Sequence, residues 1–434
     1  MAYEDEPKII HEHINVADIS TIGVYEKHGG YAALRKVLES MTPDDVLNEV
    51  KTSGLRGRGG AGFPTGMKWS FMPKGITPRY LVCNADESEP GTFSNREILL
   101  KHPHILLEGF MISCYAIGCT HGYFYIRGEF FKGYEVMRRA LAEARARGYI
   151  GKNVLGSGFD LDITLHTGAG AYICGEETAL LSSLEGDRGQ PRLKPPFPAV
   201  AGLYAKPTSV NNVETLCNVP FIMQNGAAAF RQWGTEKSPG MKIMSVSGHV
   251  NKPGNYELPL GTPISDIIYK YAGGIQNGKK LKGFFPGGSS TPILSADKVD
   301  TPMDFESITA AGSLLGTAAL TVFDEDTDIV HVTHRLLKFY KHESCGKCTP
   351  CREGNDWLVA LLRRLDENKG KTGDPDVLVD MATNIAGRSF CPLGDAAATP
   401  VISGISNFRE DFENRITNPT DEDVFIPLHL TSGH

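Results

Sequence analysis

The chain has no hydrophobic run long enough to cross a membrane. A spanning helix needs roughly 20 predominantly apolar residues. The two best stretches, 105–119 and 308–323, fall short: Glu108 interrupts the first, and the second is rich in Gly, Ala, Ser and Thr. Any membrane association is therefore expected to run through a partner. Positive charge is not in excess either. Lys plus Arg is 44 against 51 Asp plus Glu, a net charge of -7, which gives no general attraction to nucleic acid or to an anionic membrane. The opening Met-Ala-Tyr-Glu-Asp-Glu-Pro lacks the basic and apolar regions of a secretory signal and is too acidic for an Arg-rich transit peptide. A bacterial cytoplasmic location is the expectation. Internal repeats and low-complexity segments are missing too.

Cysteine is scarce and unevenly placed. Of nine, Cys345, Cys348 and Cys351 stand at two-residue gaps, and a fourth lies far downstream in Cys391-Pro392. One turn of chain carrying C-x2-C-x2-C covers three corners of an iron–sulfur cubane while a distant cysteine supplies the fourth, so these four are the expected ligands of a [4Fe–4S] cluster. Zinc is the competitor, but structural zinc sites usually draw on two separate ligand pairs rather than a tight triplet and a remote single. Cytoplasmic thiols stay reduced unless a metal takes them, which argues against a disulfide framework. Cys83, Cys114, Cys119, Cys174 and Cys217 are scattered among apolar neighbours and read as buried structural thiols.

At 434 residues and 41% hydrophobic content, two to four domains of about 150 residues are expected. Residues 1–53 read as a polar lead-in with helices near 31–38 and 43–51. From 54 to 239, β-rich runs (79–83, 122–126, 161–166) alternate with amphipathic stretches (105–118, 133–147, 175–185), the pattern of an α/β domain with a largely parallel sheet. Residues 240–295 carry short strands around Lys-Pro-Gly and Leu-Gly-Thr-Pro turns with one helix near 264–272, like a small β-grasp module. Beyond 325 strands vanish and 325–434 reads as a helical bundle. Its apolar stripes are Val332, Leu336, Phe339 and then Leu358, Leu361, Leu362, Leu365, and the cysteines fall at helix ends.

Two glycine loops remain to be explained. Gly57-Arg58-Gly59-Gly60-Ala61-Gly62 satisfies G-x-G-x-x-G but follows a polar, helix-like segment instead of a strand, so a standard Rossmann site is disfavoured. Bare backbone N–H groups can still wrap an anion or a flat ring, and Arg56, Arg58 and Lys68 add positive charge suited to phosphate. The second loop, 168–175, follows a strand and opens a helix that starts with Glu176 and Glu177. Those acids complement the helix dipole and compete with a phosphate, so this end is expected to meet ribose or ring. Between the loops, Asn84-Ala-Asp-Glu-Ser-Glu-Pro-Gly91 follows an apolar strand at a carboxyl end, where open α/β sheets place ligands. Without that context it would read as a solvated turn.

Taken with the residues flanking them, these four motifs, 54–66, 83–92, 168–179 and 343–354, resemble in content and order the family of NADH-oxidising, FMN-bearing F subunits of bacterial respiratory complex I. The likeness runs from about 20 to 420. It implies a Rossmann-like FMN- and NADH-binding domain, a ubiquitin-like β-grasp (soluble-ligand-binding) domain and a C-terminal helical bundle carrying the cluster. FMN would lie against Gly57, Arg58, Gly59, Gly60 and Gly62, with Lys68 near its phosphate. Asn84 and Asp86 would reach the isoalloxazine edge, Tyr172 and Gly175 the ring, and Asn211 and Asn212 the far side. NADH would stack over the flavin, with Phe63, Phe71 and Phe197 toward adenine and Glu89 toward nicotinamide. Glu177 and Lys194, next to Glu176, would meet the adenosine ribose. Glu89 and Glu177 are thus expected as positioning groups, since hydride transfer to a flavin requires no acid or base residue. The implied partners are a thioredoxin-like [2Fe–2S] subunit and a large multi-cluster iron–sulfur subunit, on the cytoplasmic side of the inner membrane. Leu180-Leu-Ser-Ser-Leu184 departs from relatives that have Asn or Glu before the serine, which bears on helix packing.

Two other readings stay open on sequence. The diaphorase subunit of a soluble NAD-linked hydrogenase or formate dehydrogenase shares the motifs, but often carries further cluster domains before or after them. A zinc-stabilised nucleotide-binding scaffold without turnover would be colourless.

Overall fold

The computed structural model describes residues 3–418, and the chain divides into two compact units between Asp326 and Thr327. The first unit is built on a parallel sheet. Its strands are β1 (Tyr80–Ala85), β2 (His121–Ile126), β3 (Asp162–Thr167) and β4 (Thr208–Asn212), in the order β3-β2-β1-β4. Leu81, Val82 and Cys83 are fully buried, as in a sheet covered on both faces. The helices Pro103–Ile117 and Phe131–Ala146 make the crossovers between β1, β2 and β3. The first of them is buried almost all round, which is why it resembled an interrupted membrane run. Its Glu108 accepts hydrogen bonds from the Tyr25 hydroxyl (2.5 Å) and the backbone N–H groups of Tyr31 (2.9 Å) and Leu34 (3.1 Å). A buried acid so surrounded is satisfied. Gly109 beside it is obligatory, because a Cβ there would stand 2.0 Å from the Leu216 carbonyl oxygen. Among the described residues no helix is long and apolar enough to cross a membrane.

Residues 1–53 do more than lead in. The helices Ala32–Ser40 and Pro43–Ser53 bury Leu34, Val37, Val46 and Val50 in the same core as the sheet. Three- and four-residue spacings keep that apolar stripe narrow inside a polar composition. The β-grasp sheet also extends further than residue 295. Its strands are β5 (Met241–Gly248), β6 (Gly254–Pro259), β7 (Leu281–Phe285), β8 (Leu294–Ser295) and β9 (Ala319–Asp324), ordered β6-β5-β9-β7-β8. β9 is central and parallel to β5. Sequence reading passed over it because Gly and Ala dominate the residues before it.

Among its described residues the second unit holds four helices, Ile329–Glu343, Thr349–Asp366, Asp374–Ile385 and Leu393–Glu413. Strands do not vanish there: β10 (Gly370–Lys371) pairs in parallel with β11 (Ile416–Asn418), segments too short for a periodic signal. Leu358, Leu361, Leu362 and Leu365 are buried as expected. On the helix before, the buried stripe is Ile329, Val330, Thr333, Leu337 and Tyr340, while Val332, Leu336 and Phe339 are not fully buried. Thr333 hid the true stripe from an apolar count.

Charge is buried where the α/β sheet meets the β-grasp module. Lys242 donates to Glu214 at 2.5 Å, both 1% exposed, and the second Glu214 oxygen accepts from the Ile243 N–H at 2.8 Å. Nearby, Glu257 accepts from the N–H groups of Ile10 and His11, and burial pushes its carboxyl up to about 7. Removing one partner of a buried pair leaves an uncompensated charge, at a cost of about 3–5 kcal/mol. Glu214→Ala is therefore expected to lower stability by about that much, read as a fall in the urea midpoint. The double replacement Glu214→Leu with Lys242→Met should recover most of the loss.

Candidate functional site

All four strands of the parallel sheet point their carboxyl ends to one edge. Connections from β1 run to β2 on one side while β4 pairs on the other, so a switch point lies between β1 and β4, where ligands bind in sheets of this kind. Register places Cys83 opposite Asn211 and Asn84 opposite Asn212. Asn84 Nδ2 donates to the Gly175 carbonyl at 2.9 Å, which ties the β1 loop to the loop after β3. Asn212 Nδ2 reaches Asn95 Oδ1 at 2.5 Å, and Trp69 Nε1 donates to Asn211 Oδ1 at 3.0 Å. Asp86 lies 3.9 Å from Arg127 Nη1 and accepts from the Ser88 hydroxyl. Sequence reading missed Arg127 and Glu129, which pair at 2.7 Å just beyond β2. Their position after an apolar strand was the available signal.

The first glycine loop closes over this edge as a hairpin. The Gly57 N–H donates to the Phe63 carbonyl at 2.9 Å, and Arg56 pairs with Pro64 in an isolated antiparallel bridge. Gly62, at φ +63°, has no room for a Cβ, which would meet the Phe305 ring at 2.3 Å, and a Cβ on Gly59 would stand 2.9 Å from Asn212 Cβ. Gly60, at φ +129°, faces open space, so bare backbone is presented there. The basic side chains depart from expectation. Arg56 bonds Glu306 at 2.5 Å and lies over Phe305. Arg58 is 2% exposed; its Nη2 donates to the Pro239 carbonyl, its Nε and Nη1 are buried without a hydrogen-bond partner, and burial pushes the guanidinium down to about 10. What Arg58 gives the loop is backbone, held by its N–H to Thr215 Oγ1 at 2.8 Å.

The acids of the second loop have different jobs. Glu176 caps its helix, accepting from the N–H groups of Thr178 and Ala179, which is a local structural task. Glu177 receives Lys68 at 2.8 Å and Lys194 at 3.0 Å; burial would raise its carboxyl, but the two ammonium groups outweigh that and hold it below the usual range. Lys68 also donates to the Val210 carbonyl at 2.7 Å, so one lysine joins the first loop, the second and β4. Tyr172 donates to Glu89 at 2.7 Å. Burial pushes the Glu89 carboxyl up despite that bond. Phe63, Phe71 and Phe197 are 46%, 54% and 59% exposed, and large rings left in water at a cleft are available for stacking. Phe63 and Phe71 stand 6.1 Å apart.

In the second unit Cys348 is the N-cap of the helix Thr349–Asp366 and Cys351 lies in its first turn. Cys391 precedes the helix Leu393–Glu413. The two segments meet, because the Phe390 N–H donates to Cys348 Sγ at 3.2 Å. Cys351 accepts from Asn355 at 3.6 Å and contacts the Ser344 hydroxyl at 3.3 Å. Helix starts and N–H···S bonds suit an anionic thiolate cluster, so the chemistry of the thiols at Cys348, Cys351 and the Cys391 segment fits [4Fe–4S], although among the described residues no three of them are gathered into a closed metal site. The open backbone at Gly60, the amides of Asn84 and Asn212 and the stacking rings likewise fit a flat, phosphate-bearing ring system.

Comparison with known proteins agrees. The Nuo51 FMN-binding domain family matches residues 50–221, the SLBB domain 243–294 and the NADH-ubiquinone oxidoreductase-F iron–sulfur binding region 331–415. The F subunit of NADH-quinone oxidoreductase of Streptomyces coelicolor is 56% identical over 398 residues, 92% of this chain and 88% of that protein. Its Escherichia coli counterpart is 47% identical over 412 residues, 94% and 92% of the two. A chain of a crystallised NAD+-reducing [NiFe]-hydrogenase superposes with a TM-score of 0.80 at 35% identity, over 89% of this chain and 67% of that one. The fold and its two cofactor sites define a flavin- and iron–sulfur-dependent NADH dehydrogenase component. The chain belongs to the family of NADH-quinone oxidoreductase F subunits. It uses FMN, a [4Fe–4S] cluster and NADH, and it works as part of a multi-subunit assembly.

Replacing Cys348 with Ala is expected to abolish the paramagnetic signal of the reduced cluster and lower iron content, while FMN content stays at the wild-type level. A full signal in that variant would remove Cys348 from the ligand set.

Proposed function

We propose that the chain is where electrons enter an NADH:quinone oxidoreductase, with NADH held over the carboxyl edge of the parallel sheet. The observations that support this reading are the pairing of Asn84 with Asn212 across the switch point, the Asn84 hydrogen bond to the Gly175 carbonyl and the close approach of the glycine loop at Gly59 to Asn212. When bound, FMN supplies the conversion of the two-electron chemistry of NADH into the one-electron chemistry of the cluster. The protein orients. Exposed Phe63, Phe71 and Phe197 offer stacking for adenine, and Glu177 with Lys194 offers an acceptor and a donor to the ribose hydroxyls. Lys68 brings positive charge beside the glycine loop, though it must share it with Glu177. Glu89 faces the nicotinamide side, and its contribution is near-attack geometry. Cys345, Cys348, Cys351 and Cys391 hold the cluster.

The partners follow from chemistry. An electron on the cluster needs an acceptor outside this polypeptide, and the proposed acceptor is a large multi-cluster iron–sulfur subunit, with a thioredoxin-like [2Fe–2S] subunit alongside. The proposed site of action is the cytoplasmic side of the inner membrane, reached only through partners. The hydrogenase resemblance supports the same NADH-and-flavin module in another assembly. Identity of 56% and 47% to two quinone-linked relatives over nearly full length favours the quinone-linked one.

Two outcomes are expected. Glu89→Gln should lower kcat/KM for NADH about tenfold, the scale of a weakened hydrogen bond to a charged group, with FMN at full occupancy. The isolated holoprotein should reduce ferricyanide with NADH but reduce ubiquinone only after the partner subunits are added. Inhibitor-sensitive quinone reduction by the single chain would contradict the assignment.

A further inference from the structure

Glu89 is gripped from two sides, and only one belongs to the nucleotide-binding loops. On one side the Tyr172 hydroxyl donates to Oε2 at 2.7 Å. On the other, Oε1 accepts from the Ser290 N–H at 2.7 Å and from the Ser289 hydroxyl at 3.3 Å. Both serines lie in Pro286-Gly-Gly-Ser-Ser290, the turn after β7 in the β-grasp module. The turn is itself fixed. The Gly288 N–H donates to the Ala319 carbonyl at 2.9 Å, and the Thr317 N–H to the Gly287 carbonyl at 3.0 Å. The Thr92 and Thr317 hydroxyls meet at 2.6 Å, while the Thr92 N–H closes back on the Glu89 carbonyl at 3.0 Å. Gly288, at φ +100°, lies so close that an added Cβ would stand 2.7 Å from Glu89 Cγ.

We propose that the Gly287–Ser290 turn of the β-grasp module is a working part of the dinucleotide site. Ser290 N–H and Ser289 Oγ fix the plane of the Glu89 carboxylate, and Gly288 provides the space in which that side chain lies. The inference rests on the reading of Glu89 as the group facing nicotinamide. A carboxylate has two oxygens with about four acceptor positions. With a donor on each oxygen from opposite walls, its rotation is arrested and the remaining lone pairs point in set directions. The ordering cost is then met in folding rather than on binding NADH, which is what preorganisation means for kcat/KM. Ser289, Ser290 and Gly288 are positioning residues, acting through Glu89.

The test uses the holoprotein and NADH–ferricyanide kinetics with Gly288→Ala, Ser289→Ala, Glu89→Ala and the doubles combining each turn variant with Glu89→Ala. Gly288→Ala should lower kcat/KM for NADH about tenfold, and Ser289→Ala about two- to threefold, with FMN and iron content unchanged. Because the turn acts through Glu89, each double should fall little below Glu89→Ala alone. Wild-type kinetics in both turn variants beside an impaired Glu89→Ala would overturn the proposal, as would losses that multiply in the doubles. Wild-type kinetics in Glu89→Ala itself would instead overturn the underlying role of Glu89, and the proposal with it. Should Gly288→Ala fail to fold, Ser289→Ala and its double decide the matter alone.

Discussion

The crossing of connections between β1 and β4 is the constraint on which the nucleotide end depends. Parallel strands deliver their loops to one edge, and the switch in direction leaves a crevice there that no crossover helix covers. In this chain Asn84 on β1 and Asn212 on β4 stand opposite each other at that edge, while the Asn211 amide is turned to Trp69 and Ser209. The glycine hairpin 57–62 comes from outside the sheet and is held at the end of β4 by the Arg58 N–H on Thr215 in the helix that follows and by the close approach of Gly59 to Asn212. A strand was not needed before that hairpin, because its position is fixed by packing on β4 rather than by continuation from one.

Charge at this site is arranged more by pairing than by accumulation. Arg56, Arg58 and Lys68 look in sequence like a phosphate cradle, yet Arg56 is paired with Glu306 and Lys68 is shared with Glu177. Arg58 is buried with one donor on the Pro239 carbonyl and two nitrogens unpartnered, and that incomplete satisfaction is costly for a buried cation. Positive potential near the loop is therefore attenuated, and the backbone at Gly60 stands open beside it. The β-grasp module enters the same balance through Lys242 and Glu214 beneath the cradle and through the turn on Glu89.

Much of this was legible in the residues. The parallel α/β alternation, the helices 103–117 and 131–146 and the cysteine spacing carry strong local signals, because period, capping and ligand spacing are short-range properties. Ser289 and Ser290 were not legible, since their meaning comes from contacts between residues that lie far apart in sequence; Ser290 and Glu89 are 201 positions apart. β9 was missed for a related reason. A central strand need not alternate when both faces are covered, and six residues after a Gly- and Ala-rich loop do not announce themselves.

The most direct measurement is an anaerobic titration of the purified, cofactor-replete chain with NADH, following flavin absorbance and the low-temperature paramagnetic spectrum together. The proposed convergence of flavin and NADH on one crevice, with the four thiolates proposed as cluster ligands, predicts bleaching of the flavin band by NADH and appearance of a reduced [4Fe–4S] signal. A colourless protein with stoichiometric zinc, or a flavin that NADH leaves oxidised, would contradict it.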